Sequence, residues 1–221
     1  MVLNQRAILD NKLPNDAKYY QECFSVGLKY YYGEVFEQND KKAFMWFKKS
    51  AEGSNIDAQV MLANMYYKGR GVEKNYEKSF FWFEESAKKD NEHGLYFAGV
   101  MYKEGKGVDI DYKTAYLYFN KAAQKGVANA YFRLGEMYFD GLYVEQDYEQ
   151  GLELFKESAR QGYIRAQLEL AAMYCYGVHV EKDLKEANKL CQMVLSQNNE
   201  LYNNILKEYE ILETIECESH Q

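Results

Sequence analysis

Apolar, small and aromatic positions recur along the chain every 36 residues, and the repeat continues without an insertion through five copies. In the first half of each repeat, an apolar residue lies four positions before a tyrosine, so the two share one face of a helix. These pairs are Val26/Tyr30, Leu62/Tyr66, Ala98/Tyr102, Leu134/Tyr138 and Leu170/Tyr174. A Gly or Ala stands between the members of each pair and permits close approach of a neighbouring helix. The spacing predicts a first helix in each repeat, helix A, with this face toward the core.

A glycine three residues after each tyrosine marks the predicted end of helix A, where the chain needs a positive φ. Six residues later stands a side-chain acceptor suited to cap the N-terminus of a second helix, helix B. The glycines are Gly33, Gly69, Gly105, Gly141 and Gly177, and the capping residues are Asn39, Asn75, Asp111, Asp147 and Asp183. A second turn glycine, Gly71 or Gly107, is replaced by Val35, Tyr143 and His179 in the other repeats. We expect those three turns to differ in shape.

Helix B combines a small residue, a large one three positions later, and an aromatic ring next to it. The aromatic position holds Phe47, Phe83, Phe119 and Phe155, with Cys191 as the exception in the last repeat. Methionines recur at the same 36-residue interval within helix A and are interpreted as core residues that fill irregular space. Alternation of small and large residues lets neighbouring helices interlock, so the pattern predicts an all-α fold of stacked helix-turn-helix repeats.

The pattern A-x-x-x-L-G-x-x-Y-x-x-G-x-G-V-x-x-D-Y-x-x-A-x-x-W-F-x-x-A-A-x-x-G, most complete over residues 94–126 and 58–87, resembles the Sel-one-like repeat, a relative of the tetratricopeptide repeat. The resemblance covers roughly residues 17–199 and implies a right-handed α-solenoid of five 36-residue repeats. The segment LYNNILKEYEILETI then predicts an amphipathic capping helix. The expected organisation is an N-terminal segment (1–16), the solenoid (17–199) and an acidic C-terminal capping helix and tail (200–221).

Composition places the chain among globular proteins, with 47% hydrophobic and 28% charged residues. The net charge is −7, and residues 200–221 carry six Glu and one Lys, or −5, which leaves −2 for the rest. No basic stripe predicts a nucleic-acid surface. The start of the chain lacks the features of a signal peptide, and no apolar run is long enough to cross a bilayer. We therefore expect a cytoplasmic protein without a membrane partner.

Residues that carry chemistry are scattered along the chain. The four cysteines, Cys23, Cys175, Cys191 and Cys217, follow no metal-binding or disulfide spacing and are expected to stay reduced. The three histidines form no metal motif, and Ser86, which formally begins an S-x-x-K match, lies at a small-residue position of helix B where packing is expected. The sequence predicts no enzyme activity, no metal, no cofactor and no small-molecule substrate.

The resemblance implies that the A helices line a concave groove. Relative to the first apolar column, positions two before, two after and five after lie about 160° around the helix, at about 100° per residue. The predicted partner-binding residues are Phe24, Leu28, Tyr31, Val60, Asn64, Tyr67, Tyr96, Val100, Lys103, Phe132, Glu136 and Phe139, with Leu168, Ala172 and Cys175 at the same positions of the last repeat. Most are apolar, which is typical of a binding groove. Packing of these rings against the next A helix is the alternative.

Together these features favour a non-enzymatic adaptor or scaffold that binds a protein or peptide partner in its concave groove. A second hypothesis is a dedicated inhibitor, such as an immunity protein that neutralises a cognate bacterial toxin, and the acidic tail is the feature that suggests it. Charges near the groove carry both signs, so the sequence does not predict the polarity of the partner.

Overall fold

The protein is described by a computed structural model, which covers residues 17–196. Within that range the chain forms helices joined by turns and no β-strand. The helices are α1 (Ala17–Tyr32), α2 (Asp40–Glu52), α3 (Ile56–Lys68), α4 (Tyr76–Lys88), α5 (Glu92–Glu104), α6 (Tyr112–Gln124), α7 (Ala128–Asp140), α8 (Tyr148–Arg160), α9 (Ile164–Tyr176) and α10 (Leu184–Ser196). Odd-numbered helices are the predicted A helices and even-numbered helices are the B helices. The all-α repeat fold predicted from the sequence is confirmed.

The chain divides into two compact units. Within residues 17–196, the first consists of residues 17–94 with Lys106–Val108, and the second of Leu95–Gly105 with residues 109–196. In the first unit Phe47, Leu62 and Met65 are buried in one core cluster. In the second, Phe155, Leu170 and Cys191 are buried in another. The predicted N-terminal segment and the acidic capping helix with its tail lie outside the described residues. The right-handed sense of the solenoid stays a prediction.

One backbone hydrogen bond closes the turn between helix A and helix B in every repeat. The N–H of the capping residue donates to the carbonyl of the column tyrosine, as in Asn39 to Tyr30 (2.9 Å) and Asp183 to Tyr174 (3.0 Å). The side chain of the same capping residue accepts an N–H from the first turn of helix B; Asn75 accepts from Lys78 at 2.8 Å. Helix A ends on a left-handed glycine, with φ of 72° at Gly69 and 65° at Gly141. The predicted caps and turn glycines are therefore confirmed.

The expectation of altered turns is wrong for two of the three repeats. Tyr143 and His179 adopt φ of 68° and 59°, close to the 72° of Gly71 and Gly107. Each of these two strained residues makes a ring contact. The His179 ring stacks on Tyr148 with the centroids 4.1 Å apart. Tyr143 in the same way lies 5.5 Å from another ring, that of Tyr116. Val35 is not among the residues with positive φ, so only the turn of the first repeat departs from the others.

The small residue of each A helix determines how closely helix B approaches. A Cβ added at Gly27 would lie 2.6 Å from the Phe47 ring, and one at Gly135 would lie 2.6 Å from the Phe155 ring. Real side-chain carbons do not approach so closely, so the ring occupies the space that a larger residue would need. The alternation of small and large residues in the sequence thus corresponds to direct contacts between helices A and B.

The burial of the methionines agrees with their interpretation as core residues. Met65, Met101 and Met137 are essentially inaccessible, as expected for core residues. Cys175 and Cys191 are buried, and neither forms a disulfide. Burial, with a smaller contribution from neighbouring Cys175, raises the pKa of the Cys191 thiol to about 11. This thiol is therefore protonated and weakly nucleophilic at neutral pH.

Replacement of Gly105 by Val tests the turn geometry. Gly105 has φ of 66°, and a β-branched residue is strained there, so we expect a loss of about 1 to 3 kcal/mol in the free energy of unfolding. Gly105→Asn is the matched control, because Asn tolerates left-handed geometry and should cost much less. Chemical denaturation measures both. Equal stability of Gly105→Val and the unaltered chain would contradict the assigned conformation.

Candidate binding surface

The structure places the predicted groove residues at intermediate to full burial. Val60, Tyr96, Val100 and Phe132 are buried, with Phe132 only 2% exposed. The other predicted residues are partly exposed: Phe24, Leu28, Tyr31, Asn64, Tyr67, Lys103, Glu136 and Phe139. In the last repeat, Leu168 and Cys175 are buried and Ala172 is partly exposed. These predicted groove residues, which together form the predicted stripe, thus contribute to packing along much of its length. The stripe is accessible only in places.

In the first unit, cations from the following turn cover the aromatic end of the stripe. The Arg70 guanidinium lies 3.7 Å from the centroid of the Tyr31 ring, and its Nε donates to Asp40 Oδ1 at 2.8 Å. Lys106 Nζ donates to the Tyr67 hydroxyl at 2.8 Å and lies over the same ring. Such cation–π contacts stabilise the approach of successive repeats. Arg70 therefore covers one face of the Tyr31 ring, and Lys106 occupies the hydroxyl end of Tyr67.

In the second unit, two predicted groove rings stack on the core ring of α8. Phe132 lies 4.8 Å from Phe155 with an interplanar angle of 19°, and Phe139 lies 5.0 Å from Phe155 at 10°. All three rings are near parallel, so Phe155 links the stripe to the interior. Phe139 also meets the His179 ring edge to face at 5.4 Å. The partly exposed Phe139 is the accessible end of this stack.

The accessible face of the A helices is rotated from the predicted one. Its residues lie five before, one before, two after and six after the apolar column of each A helix. At about 100° per residue, their mean direction is about 230° around the helix from that column. Its members include Asp57, Met61, Asn64 and Lys68 in the first unit and Arg133, Glu136, Asp140, Arg165, Glu169, Ala172 and Tyr176 in the second. We call this set the open face. It shares Asn64, Glu136 and Ala172 with the predicted stripe and is more polar.

An ion network fixes the centre of the open face in the second unit. Glu136 Oε2 accepts hydrogen bonds from Lys103 Nζ and Arg133 Nη1, each at 2.8 Å, and these three side chains are only 16–18% exposed. Arg165 Nη2 lies 3.9 Å from the other oxygen of Glu136. Burial alone would raise the pKa of Glu136, but the charges and hydrogen bonds of Arg133 and Lys103 outweigh it and lower that pKa. Glu136 is therefore ionised and already neutralised within the protein.

A cavity of about 340 Å³ opens beside this network, between α7, α8 and α9. Its wall includes Phe132, Phe139, Phe155 and Met173, and charged groups around it are Glu136, Asp140, Arg165 and Glu169. Glu169 is exposed as a residue, yet burial of its carboxyl group raises its pKa; Arg165 lowers the pKa and Glu136 raises it further. Within residues 17–196, neither Asp140 nor Glu169 forms an ion pair. The cavity thus combines apolar walls with two carboxylates that form no ion pair in the described part of the chain.

Comparison with known families matches this arrangement of repeats. The model of the Sel1 repeat matches residues 23–55, 56–91, 93–127, 128–163 and 164–199, which together make up most of the chain. The chain belongs to the Sel1 repeat family. The resemblance found in the sequence is confirmed, and each matched segment contains part or all of one A helix and the whole of the following B helix.

Solved structures of Sel1 repeat proteins resemble this chain. A protective antigen of uropathogenic Escherichia coli displaying an SLR fold is 34% identical over 82% of this chain, with a TM-score of 0.71, and this chain covers only 39% of that one. A Sel1 repeat protein from Oxalobacter formigenes is 28% identical with a TM-score of 0.75, over 88% of this chain and 80% of that one. The immunity protein Pa5087 of Pseudomonas aeruginosa is 25% identical with a TM-score of 0.58, over 86% and 69%. No curated protein matches the sequence. None of the helices between residues 17 and 196 has the length and apolar character required to cross a membrane.

Sequence reasoning missed Arg133 and Glu169 as members of the site. Both lie one residue before the apolar column of their repeats, whereas the predicted groove positions lie two before, two after and five after it. The position one residue before the apolar column holds Ser25, Met61 and Phe97 in the first three repeats and charged residues in the last two. This change from uncharged to charged residues is the signal in the sequence. Arg133 also has a buried Nε without a hydrogen-bond partner among the described residues. That column therefore marks where the later repeats differ from the earlier ones.

The ion network predicts a specific dependence of stability on pH. Because the pKa of Glu136 is lowered on folding, its contribution is complete above the unfolded-state value of about 4.3 and is lost as the pH falls through the folded-state value. Glu136→Gln should lower the free energy of unfolding at pH 7 by about 1 to 3 kcal/mol, since two cations lose their charged acceptor. The difference from the unaltered chain should shrink below pH 4. Denaturation at a series of pH values measures it.

Glu157→Gln is the matched control for this experiment. Glu157 also pairs with an arginine three residues away, Arg160, but that arginine is 73% exposed. Solvent screens such a pair, so the control should change stability much less at pH 7. Equal effects of the two substitutions would contradict a stabilising role for the buried network.

Proposed function

We propose that this Sel1 repeat protein is a non-enzymatic interaction module that binds a protein or peptide partner through the open face of its A helices. The observation that carries the proposal is the juxtaposition, in the second unit, of a cavity with aromatic walls and a network of charged side chains. Interfaces concentrate binding energy in such partly buried aromatic and arginine sites. Family membership supports the same function class.

The proposal keeps those groove residues that stay accessible and adds the charged ones beside them. In the second unit these are Lys103, Glu136, Phe139, Arg165 and Glu169; in the first unit the partly exposed predicted residues are Phe24, Leu28, Tyr31, Asn64 and Tyr67. Buried rings such as Phe132 contribute by shaping the wall, so their truncation would destabilise the fold before it affected a partner. A cytoplasmic location and the absence of catalysis remain parts of this proposal.

Affinity capture from the native host tests the proposal. Arg165→Ala should weaken retention of the captured partner about tenfold, because Arg165 is 56% exposed at the centre of the open face. Arg160→Ala is the matched control on helix α8, where the side chain is exposed but lies off the open face, and it should leave retention unchanged. Both variants should melt as the unaltered chain does. Retention that depends on Arg160 and not on Arg165 would place the site elsewhere.

A second candidate function is inhibition of a toxin by direct binding. Likeness to the immunity protein from Pseudomonas aeruginosa favours it, although that name describes the relative alone. Expression of each gene adjacent to the native locus, with and without this protein, separates the two candidates. Rescue of growth from one toxic neighbour would support an inhibitor. If no neighbour is toxic, or none is rescued, the general interaction module is favoured.

A further inference from the structure

We infer that the cavity between α7, α8 and α9 binds a basic side chain, an arginine or lysine, presented by the partner. The inference rests on the proposed function and adds the chemistry of the group that the site recognises. Three features of the second unit support it: the shape and apolar walls of the cavity, the balance of charge around it, and an arginine of the chain that already uses the same mode of contact.

The walls suit the methylene stem of a long side chain. Phe132, Phe139 and Phe155 stack with centroids about 5 Å apart, and Met173 borders the same space. Phe155 and Phe132 are held by the core, so the wall is formed before a partner arrives. A volume of about 340 Å³ exceeds what one arginine side chain needs and excludes a folded element. Lys and Arg typically place their stems on apolar surface while the charged group reaches a polar rim.

The charges that line the cavity favour a cation. Glu136, Asp140 and Glu169 line it and are negative, whereas Arg165 is the one arginine or lysine in the lining. Lys103 and Arg133 lie outside the lining, each 2.8 Å from the same oxygen of Glu136, and with Arg165 they equal the three carboxylates in number. An incoming cation would find two carboxylates without ion pairs in the described part of the chain.

Arg165 shows how a guanidinium is accommodated at this wall. Its central carbon lies 5.3 Å from the centroid of the Phe132 ring, while Nη2 lies 3.9 Å from Glu136. In the first unit Arg70 repeats the combination, over the Tyr31 ring and bonded to Asp40. Aromatic face plus carboxylate is therefore a pairing that this protein uses within its own structure. A partner's arginine would make the same pairing with the cavity wall and Glu169.

An acidic partner group is the competing possibility. It would pair with Arg165, but the second guanidinium of the site, Arg133, is only 17% exposed on its side chain and is already engaged with Glu136. The unpaired Nε of Arg133 is itself buried, so a carboxylate from outside does not reach it. Two carboxylates, Asp140 and Glu169, are available to a cation, whereas one guanidinium, that of Arg165, is available to an anion.

Titration of the full chain with short peptides tests the inference. The probes are the acetylated, amidated tripeptides Gly-Arg-Gly, Gly-norleucine-Gly and Gly-Glu-Gly, and the readout is the NMR signal of the methionine methyl groups. Met173 borders the cavity, whereas Met65 is buried in the first unit and serves as an internal control. We expect the arginine peptide to shift the Met173 signal with an affinity about tenfold higher than that of the norleucine peptide. The Met65 signal should not move.

Glu169→Gln should reduce the affinity for the arginine peptide about tenfold, since it removes one of the two unpaired carboxylates. Glu145→Gln, an exposed glutamate of the turn after α7 that does not border the cavity, is the matched control and should leave it unchanged. Equal or stronger binding of the glutamate or norleucine peptide, or no Met173 shift up to about 20 mM arginine peptide, would overturn the inference. If a partner is captured through Arg165 but the arginine peptide does not bind, only this inference is overturned. Peptide binding without any captured partner would overturn the interaction module instead.

Discussion

The fold depends on one recurring contact, in which an aromatic ring of helix B fills the space that a small residue leaves on helix A. At Gly27, Gly99 and Gly135 an added Cβ would lie within 2.8 Å of a phenylalanine ring. The rings themselves, Phe47, Phe119 and Phe155, are almost inaccessible. Helices this close bury the ring, and burial of a phenylalanine contributes about 1.5 to 3 kcal/mol in each of the first four repeats. Capped turns then determine the direction in which the next helix begins.

The same contact builds the candidate site in the second unit. Phe155 lies against Gly135 on one side and against Phe132 and Phe139 on its faces, so the ring that closes the core also supports the cavity wall. The ion network of Lys103, Arg133 and Glu136 fixes the neighbouring surface. A binding surface carried by such a rigid frame loses little conformational entropy when a partner arrives.

Local features of this fold could be predicted because they depend on few neighbouring residues. A left-handed glycine, a capping Asp or Asn and a small residue facing a ring each impose a requirement on one position of the 36-residue pattern. The orientation of the open face could not be predicted as well. Helical periodicity gives angles relative to a core column, but the covering of Tyr31 by Arg70 depends on contacts between residues 39 positions apart. Tyr143 shows a related limit, because its left-handed turn is accompanied by a ring contact with Tyr116 that no local pattern encodes.

Hydroxyl-radical footprinting of the chain with and without its captured partner tests the central claim most directly, namely that the open face of the A helices is the binding surface. The account predicts protection of Phe139 and Tyr176 in the complex, since both lie on or beside the open face of α7 and α9. Exposed residues of the B helices, such as Leu117 and Met193, should react equally in both states. Protection confined to Leu117 and Met193, with Phe139 and Tyr176 unchanged, would contradict the account.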